Sequence, residues 1–260
     1  MDLQLRDKVI LITGGAKGIG AAITKGLAQE EAIAVVVDRD AGACQQFQGE
    51  LGAQGLTAQF ISADLSTADA CRTVVERAVA ACGRLDGLVN NAGINDKVGL
   101  EKGNPEEFVH SLQRNLLHYY NMAHYALPHL RRSVGNIVNI SSKTAITGQG
   151  GTSGYVAAKG AILGMTREWA AELLPYKIRV NAIVPAEVMT PLYRQWLDSF
   201  PDPEQQLQRV VGKIPLAHRM TVPDEIAAMV IFLLSAKASH ITGQHLFVDG
   251  GYVHLDRALT

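Results

Sequence analysis

Cysteine is scarce in this chain: Cys44, Cys71 and Cys82 are odd in number and show no metal-ligand spacing. That argues against a disulfide-stapled secreted scaffold and a structural zinc site, and it suits thiols kept reduced in a cytoplasmic compartment. A surplus of one charge is also missing, since 24 Lys and Arg stand against 25 Asp and Glu for a net charge of −1. Such a chain has no electrostatic footprint for nucleic acid or an anionic membrane surface. No apolar stretch nears the roughly 20 residues of a membrane span. The longest strong run, Met229 to Leu234, reads as a buried helix face. Met1 to Lys8 mixes charged and apolar residues, so no signal peptide is expected. The eight histidines form no metal motif; His118, His124 and His129 share a helical stretch but no common face, and read as structural. What is present is a hydrophobic content of 47% over 260 residues, enough for one large core.

Short apolar runs predict strands at 8–13, 34–38, 57–62, 86–89, 134–140, 178–184 and 245–248, with helical stretches between them. Alternation of this kind, without a linker or low-complexity break, implies an α/β fold: one doubly wound domain over 1–260 with a seven-stranded parallel sheet and right-handed crossovers. Ligands in such sheets bind beyond the carboxyl ends of the strands. Gly14, Asp38, Asp64, Gly93, Ser142 and Pro185 all fall there. The longest irregular stretch, Ala186 to Val222, is expected to form a substrate lid, or else a surface used for subunit packing.

The first strand run, Val9 to Ile12, is followed by Thr13-Gly14-Gly15-Ala16-Lys17-Gly18-Ile19-Gly20 and then by a helical stretch with Ile23 and Leu27 on one face. A strand, a glycine turn and a helix N-terminus together make an anion site, because glycine lets the backbone approach and free N–H groups face the phosphates. The spacing is Gly-x-x-x-Gly-x-Gly, and glycine turns without ligands are common. The second strand run ends at Asp38, where a carboxylate accepts from a ribose 2′-hydroxyl and repels a 2′-phosphate. That favours NAD over NADP, although Lys17 and Arg39 could each meet a 2′-phosphate and keep NADP open.

Tyr155 and Lys159 stand four residues apart, on one face of a helix. An ammonium beside a phenol favours the phenolate. Proton transfer near neutrality needs roughly 4 kcal/mol of that preference, about what a unit charge ~4 Å away supplies at an effective dielectric of ~20. Ser142 lies 13 residues upstream of Tyr155, at the end of the strand run Asn136 to Ile140, and Asn115 lies in a helical stretch from Phe108 to Tyr125. Singly these are an amphipathic helix, a strand-end serine and a polar helix residue; the ordered combination gives them weight.

Taken in order, Thr13-Gly14…Gly18-Ile19-Gly20, Asp64-Leu65-Ser66, Asn90-Asn91-Ala92-Gly93, Asn115, Ser141-Ser142, Tyr155-x-x-x-Lys159, Pro185 with Thr190-Pro191, and Phe247 to Gly251 resemble the compact branch of the short-chain dehydrogenase/reductase family across nearly the whole chain. The resemblance implies a Rossmann-type domain and NAD(P)-dependent hydride transfer. It implies that Tyr155 exchanges the proton, Ser142 holds the substrate oxygen, Lys159 lowers the tyrosine pKa and holds the nicotinamide ribose, and Asn115 anchors a relay water. Cofactor contacts carried over in the same way are Thr13, Gly14, Lys17, Gly18, Ile19, Gly20, Asp38, Arg39, Asp64, Leu65, Asn91, Ala92, Gly93, Tyr155, Lys159, Pro185, Val188 and Thr190. A homotetramer packed through Phe108–Leu130 and Tyr155–Leu174 is likewise implied. The family's Pro-Gly is Pro185-Ala186 here, which puts the path of that loop in doubt.

Residues placed to line a substrate pocket are Asn95, Lys97, Glu101, Lys143, Gln149, Glu187 and Trp196, with Arg194 nearby. They are polar, and suit a hydroxyl-rich molecule better than an acyl chain. The segments 95–101, 142–149, 185–193 and 252–257 resemble bacterial sugar dehydrogenases of the L-fucose dehydrogenase type, which implies oxidation of an aldose to its lactone with NAD. A 3-oxoacyl-carrier reductase is the alternative enzyme, and a non-catalytic dinucleotide sensor the alternative of another class. An extended-branch epimerase would need a C-terminal domain, for which 186–260 is too short.

Overall fold

The computed structural model describes residues 1–255. Its strands are β1 Val9–Thr13, β2 Ile33–Asp38, β3 Gln59–Ser62, β4 Gly87–Asn90, β5 Asn136–Ile140, β6 Arg179–Pro185 and β7 His245–Val248. The helices are α1 Gly18–Gln29, α2 Ala41–Gly52, α3 Ala68–Cys82, α4 Pro105–Leu112, α5 His118–Ser133, α6 Thr144–Thr147, α7 Ser153–Glu172, α8 Pro191–Asp198, α9 Pro203–Val211 and α10 Pro223–Leu234. The seven strands form one sheet in the order β3-β2-β1-β4-β5-β6-β7, and every neighbouring pair is parallel. The order reverses between β1 and β4, so a crevice opens beyond the carboxyl ends of those strands.

Each central strand is apolar throughout because both sheet faces are covered. Val9 and Leu11 of β1 pack with Val35 and Val37 against α3, α5 and α7. Ile10, Ile12 and Ala34, pointing the other way, pack against α1 and α10. The two-residue period of the pleat sends alternate side chains to opposite layers.

Two sequence expectations are corrected. The helical stretch Phe108–Tyr125 is not one regular helix: α4 ends at Leu112, a π-helical turn runs Gln113–Leu117, and α5 begins at His118. Nor is Ala186–Val222 irregular. It contains α8 and α9, and its two ends are pinned by a parallel bridge between Val188 and Thr221. Cys44 and Cys71 are buried free thiols, and burial pushes Cys71 up to about 11, so it is unreactive near neutrality. Among the described residues no helix is long and apolar enough to cross a membrane.

Candidate active site

β1 hands the chain to α1 through Gly14, whose φ of +63° belongs to the left-handed region. At Gly20 there is no room for a side chain, since a Cβ would lie 2.1 Å from the Gly14 carbonyl oxygen. The turn is therefore backbone packed on backbone. Lys17 precedes α1 in extended conformation and offers no side-chain cap. The first-turn N–H groups of Gly18, Ile19 and Gly20 thus stay open toward an anion, with the helix dipole behind them. This cradle fits a dinucleotide pyrophosphate.

The neighbouring polar side chains fix the cradle from behind. The Thr13 hydroxyl oxygen accepts from the Asn91 and Ala92 amides at 2.9 and 3.1 Å. The Asn91 amide group donates to the Thr13 and Gly14 carbonyls, each at 3.0 Å. Asp38, half-buried at the end of β2, accepts from the Ala16 amide at 3.3 Å and the Asp40 amide at 3.1 Å. Lys17 is ion-paired to Asp40 at 2.5 Å, and Arg39 is exposed. Asp64 is exposed and accepts from the Ser66 amide, while Thr67 caps α3; half-buried Leu65 lies between them. Thr190 caps α8 by accepting from the Tyr193 amide, and a Cβ on Gly18 would stand 3.2 Å from its methyl, so the start of α8 packs against the glycine turn. Val188 is buried in the bridge to Thr221. Pro185 ends β6, its carbonyl accepting from the Lys143 amide at 2.9 Å, which gives the Pro185-Ala186 corner a defined path without glycine.

Ser142 follows β5, and Tyr155 and Lys159 occupy successive turns of α7. Thr144 donates to the Ser142 oxygen at 3.0 Å, and Ser142 acts on the Tyr155 phenol in favour of its ionised form. Lys159 is 2% exposed; its ammonium donates to the Ile140 carbonyl at 2.8 Å and the Tyr119 hydroxyl at 3.0 Å. Burial lowers Lys159 to about 7. Burial also pushes the Tyr155 phenol up, opposed by Ser142. This differs from the expectation that Lys159 holds the phenol down. The ammonium sits 5.6 Å from the Tyr155 ring centroid and is directed at Ile140 and Tyr119, so desolvation outweighs attraction.

The π-helical turn delivers Asn115 to this cluster. Its side-chain oxygen accepts from the Ile94 amide at 2.7 Å, and a Cβ on Gly93 would lie 3.1 Å from that oxygen and 3.4 Å from the Lys159 nitrogen. Below, the His118 Nε2–H donates to the Arg114 carbonyl at 3.0 Å while Nδ1 is buried without a partner. Burial and the nearby Lys159 charge lower His118 to about 4. Tyr119 was not expected in the site; its position four residues after Asn115, on the same helix face, is the signal that could have found it.

The expected pocket residues divide. Lys143, the residue after Ser142, forms an ion pair with Glu187, their side chains 10% and 15% exposed. Burial and the nearby Glu187 charge raise the Tyr193 phenol, and the Lys143 ammonium lies 3.9 Å from the Tyr252 ring centroid. Trp196 stacks edge-on between Tyr193 and Phe200 along α8. Asn95 is half-buried and accepts from the Lys97 amide. Lys97, Glu101, Gln149 and Arg194 are exposed and do not join this cluster. Tyr193 and Tyr252 are additions from the structure. Asp256 and Arg257, at the end of the tail segment, lie outside the described residues.

Residues 14–253 match a family model described as enoyl-(acyl carrier protein) reductase. The L-fucose dehydrogenase of Bos taurus is 37% identical over 96% of this chain and 91% of its own length. A 3-oxoacyl-[acyl-carrier-protein] reductase of Thermotoga maritima is 35% identical over 96% of this chain and 100% of its own. The crystal structure of Cj0485 dehydrogenase superimposes with a TM-score of 0.94 at 45% identity, covering 100% of this chain and 99% of that one. With the cradle, the Ser142–Tyr155–Lys159 cluster and this likeness together, the chain belongs to the short-chain dehydrogenase/reductase family and is an NAD(P)-dependent oxidoreductase of CH–OH groups.

Proposed function

We propose that the enzyme oxidises the anomeric carbon of an aldose of the L-fucose type to the lactone, using NAD. The observation that carries this reading is the ion pair between Glu187 and Lys143, the residue after Ser142, which makes a hydrogen-bonding surface suited to hydroxyl groups and ill suited to an acyl chain. Similarity to a protein named L-fucose dehydrogenase supports it. In the forward direction Ser142 holds the substrate oxygen, Tyr155 as phenolate takes the hydroxyl proton, and the carbon–hydrogen bond breaks with its electron pair. The nicotinamide, when bound, supplies the acceptor for that hydride. Lys159, whose ammonium is turned toward Ile140 and Tyr119, holds the ribose, and Asn115 anchors the proton path behind it. The glycine turn holds the pyrophosphate through Gly18, Ile19 and Gly20, with Asp38 on the adenosine ribose. Lys17 is neutralised by Asp40, which leaves the carboxylate of Asp38 to set the preference for NAD.

The exposed apolar side chains of Val109, Leu117 and Tyr120 on the α4–α5 face support assembly into a homotetramer, to be read by light scattering. The test of function is reduced-cofactor absorbance with a panel of aldoses, each with NAD and NADP. Turnover of L-fucose or a stereochemical neighbour with NAD is the expected result. Faster turnover of a 3-oxoacyl thioester with NADPH would replace this reading by the acyl-reductase one.

A further inference from the structure

A buried ion pair is an expensive way to fill space. Desolvating both charges costs several kcal/mol, and apolar residues of the same volume are often more stable there. The Lys143–Glu187 pair therefore calls for a reason, and its surroundings supply one. Lys143 follows Ser142 directly in the chain, and its backbone amide donates to the Pro185 carbonyl, which ties this corner to the one that carries Glu187. The Tyr252 ring stands over the ammonium at 3.9 Å. On the other side, at the start of α8, burial and the nearby Glu187 charge raise the Tyr193 phenol. Four elements thus meet at this point: the β5–α6 corner, the β6–α8 corner, helix α8 and the segment after β7.

The pair presents a donor and an acceptor side by side. An ammonium has three N–H donors and no acceptor, and a carboxylate has acceptor sites only. A single hydroxyl can bridge the two, accepting from the ammonium and donating to the carboxylate, and two hydroxyls on adjacent carbons can serve each separately. A keto group or an alkyl chain can satisfy neither carboxylate oxygen. Resting on the sugar-dehydrogenase reading above, we propose that Lys143 and Glu187 form a vicinal-diol subsite that reads the hydroxyls on C2 and C3, the two ring carbons that follow the oxidised one. In this subsite Lys143 donates to one oxygen and Glu187 accepts from the other.

A hydroxyl bonded to a charged group is worth about 10- to 100-fold in kcat/KM. The experiment is a coupling cycle between substrate and enzyme. L-fucose and its 2-deoxy, 3-deoxy and 4-deoxy analogues are compared on wild type, Lys143→Met, Glu187→Gln and the double variant, with NAD saturating. The double variant guards against misfolding, because it leaves no uncompensated charge behind. Wild type is expected to lose about 10- to 100-fold in kcat/KM when the hydroxyl on C2 or on C3 is removed and little at the third. In Glu187→Gln and Lys143→Met the loss at the matching hydroxyl shrinks toward onefold, and in the double variant both losses shrink. If the variants slow all four sugars by one common factor, or if deoxygenation costs the same in every enzyme, the pair is structural and the subsite is overturned. Failure of wild type to oxidise any of the four sugars overturns the underlying reading itself, and is visible without any variant.

Discussion

On the β1 side of the cleft, what faces a ligand is backbone: the open N-terminus of α1, the turn through Gly14 and Gly20, and amides tied down by Thr13 and Asn91. On the β5 side it is ionisable side chains taken out of water: Lys159 lowered to about 7, His118 to about 4, Tyr155 raised, and the Lys143–Glu187 pair. The two sides should therefore fail differently. Backbone recognition is lost when a methyl group is added and does not depend on pH, because peptide groups do not titrate. Side-chain recognition survives added volume better, but it costs stability and follows pH.

The largest effect tests the β5 side alone. Tyr155→Phe keeps the ring and removes only the hydroxyl, so NAD should bind with unchanged affinity while kcat falls by about 10²–10⁴-fold. For oxidation by wild type, the rate should rise with pH as Tyr155 gives up its proton. In Lys159→Ala a limb displaced to higher pH would show that the cation, turned toward Ile140 and Tyr119 in this structure, swings to the phenol during turnover. Paired pH–rate profiles at saturating NAD measure the displacement, and an unmoved limb would separate Lys159 from the proton transfer.

Gly20→Ala is the matching blow to the β1 side. Its Cβ would sit 2.1 Å from the Gly14 oxygen, a backbone atom held by the Asn91 amide, so the turn must open to admit it. A loss of about 3 kcal/mol in folding stability is expected, at the upper end of ordinary overpacking. The increase in melting temperature given by NAD should vanish as well. Because no titrating group is involved, both losses should be equal at pH 6 and pH 9.

Stability against pH then separates the sides. His118 binds a proton at 6.5 when unfolded and at about 4 when folded. Between those values the unfolded chain holds more protons, so stability falls as pH drops through this window, by up to about 3 kcal/mol. Lys159 acts with the same sign from 10.5 down to about 7. His118→Gln keeps a donor for the Arg114 carbonyl and removes the titration, so urea midpoints for this variant should vary less between pH 6.5 and 4 than those of wild type. An identical acid slope would place the sensitivity elsewhere.

The same contrast governs how much could be read before the fold was known. β1, β2 and the turn between them were legible because burial on both sheet faces demands unbroken apolar runs and a close turn demands glycine. The strands fall within two residues of their expected ends, Ser142 follows β5, and Tyr155 and Lys159 lie on one helix as their spacing predicts. Side-chain direction was less legible. Nothing in the Tyr155-x-x-x-Lys159 spacing says that the ammonium turns toward Ile140 and Tyr119, because that depends on a carbonyl from another strand and a phenol from another helix. The π-helical turn at Asn115 has no compositional mark, since it differs from an α-helix by a single extra residue per hydrogen-bonded ring. Lys97, Glu101 and Gln149 looked like pocket residues from polarity, but polarity alone cannot separate a lining loop from a solvated one.

The smallest expected effect returns to the β1 side, at the one place where it relies on a charge. Asp38 is held at the end of β2 by the Ala16 and Asp40 amides, and its orientation is fixed by the loop it anchors. A 2′-hydroxyl can donate to this carboxylate; a 2′-phosphate meets it as a like charge. Asp38→Ala removes both effects, so kcat/KM with NAD should fall while that with NADP rises, and the ratio of the two should move about tenfold, in line with one charged hydrogen bond. Lys17 and Arg39 decide how far it moves. Once Asp38 is gone, the Lys17–Asp40 pair is the nearest charge, and its exposed, salt-screened attraction is weak enough for a phosphate to displace Asp40. The double variant Asp38→Ala with Asp40→Ala should then shift the ratio further toward NADP. If wild type already turns over NADP faster than NAD, Lys17 and Arg39 outweigh the carboxylate. The β1 side would then choose its cofactor by cations, and the contrast between a backbone side and a side-chain side would hold only for the pyrophosphate.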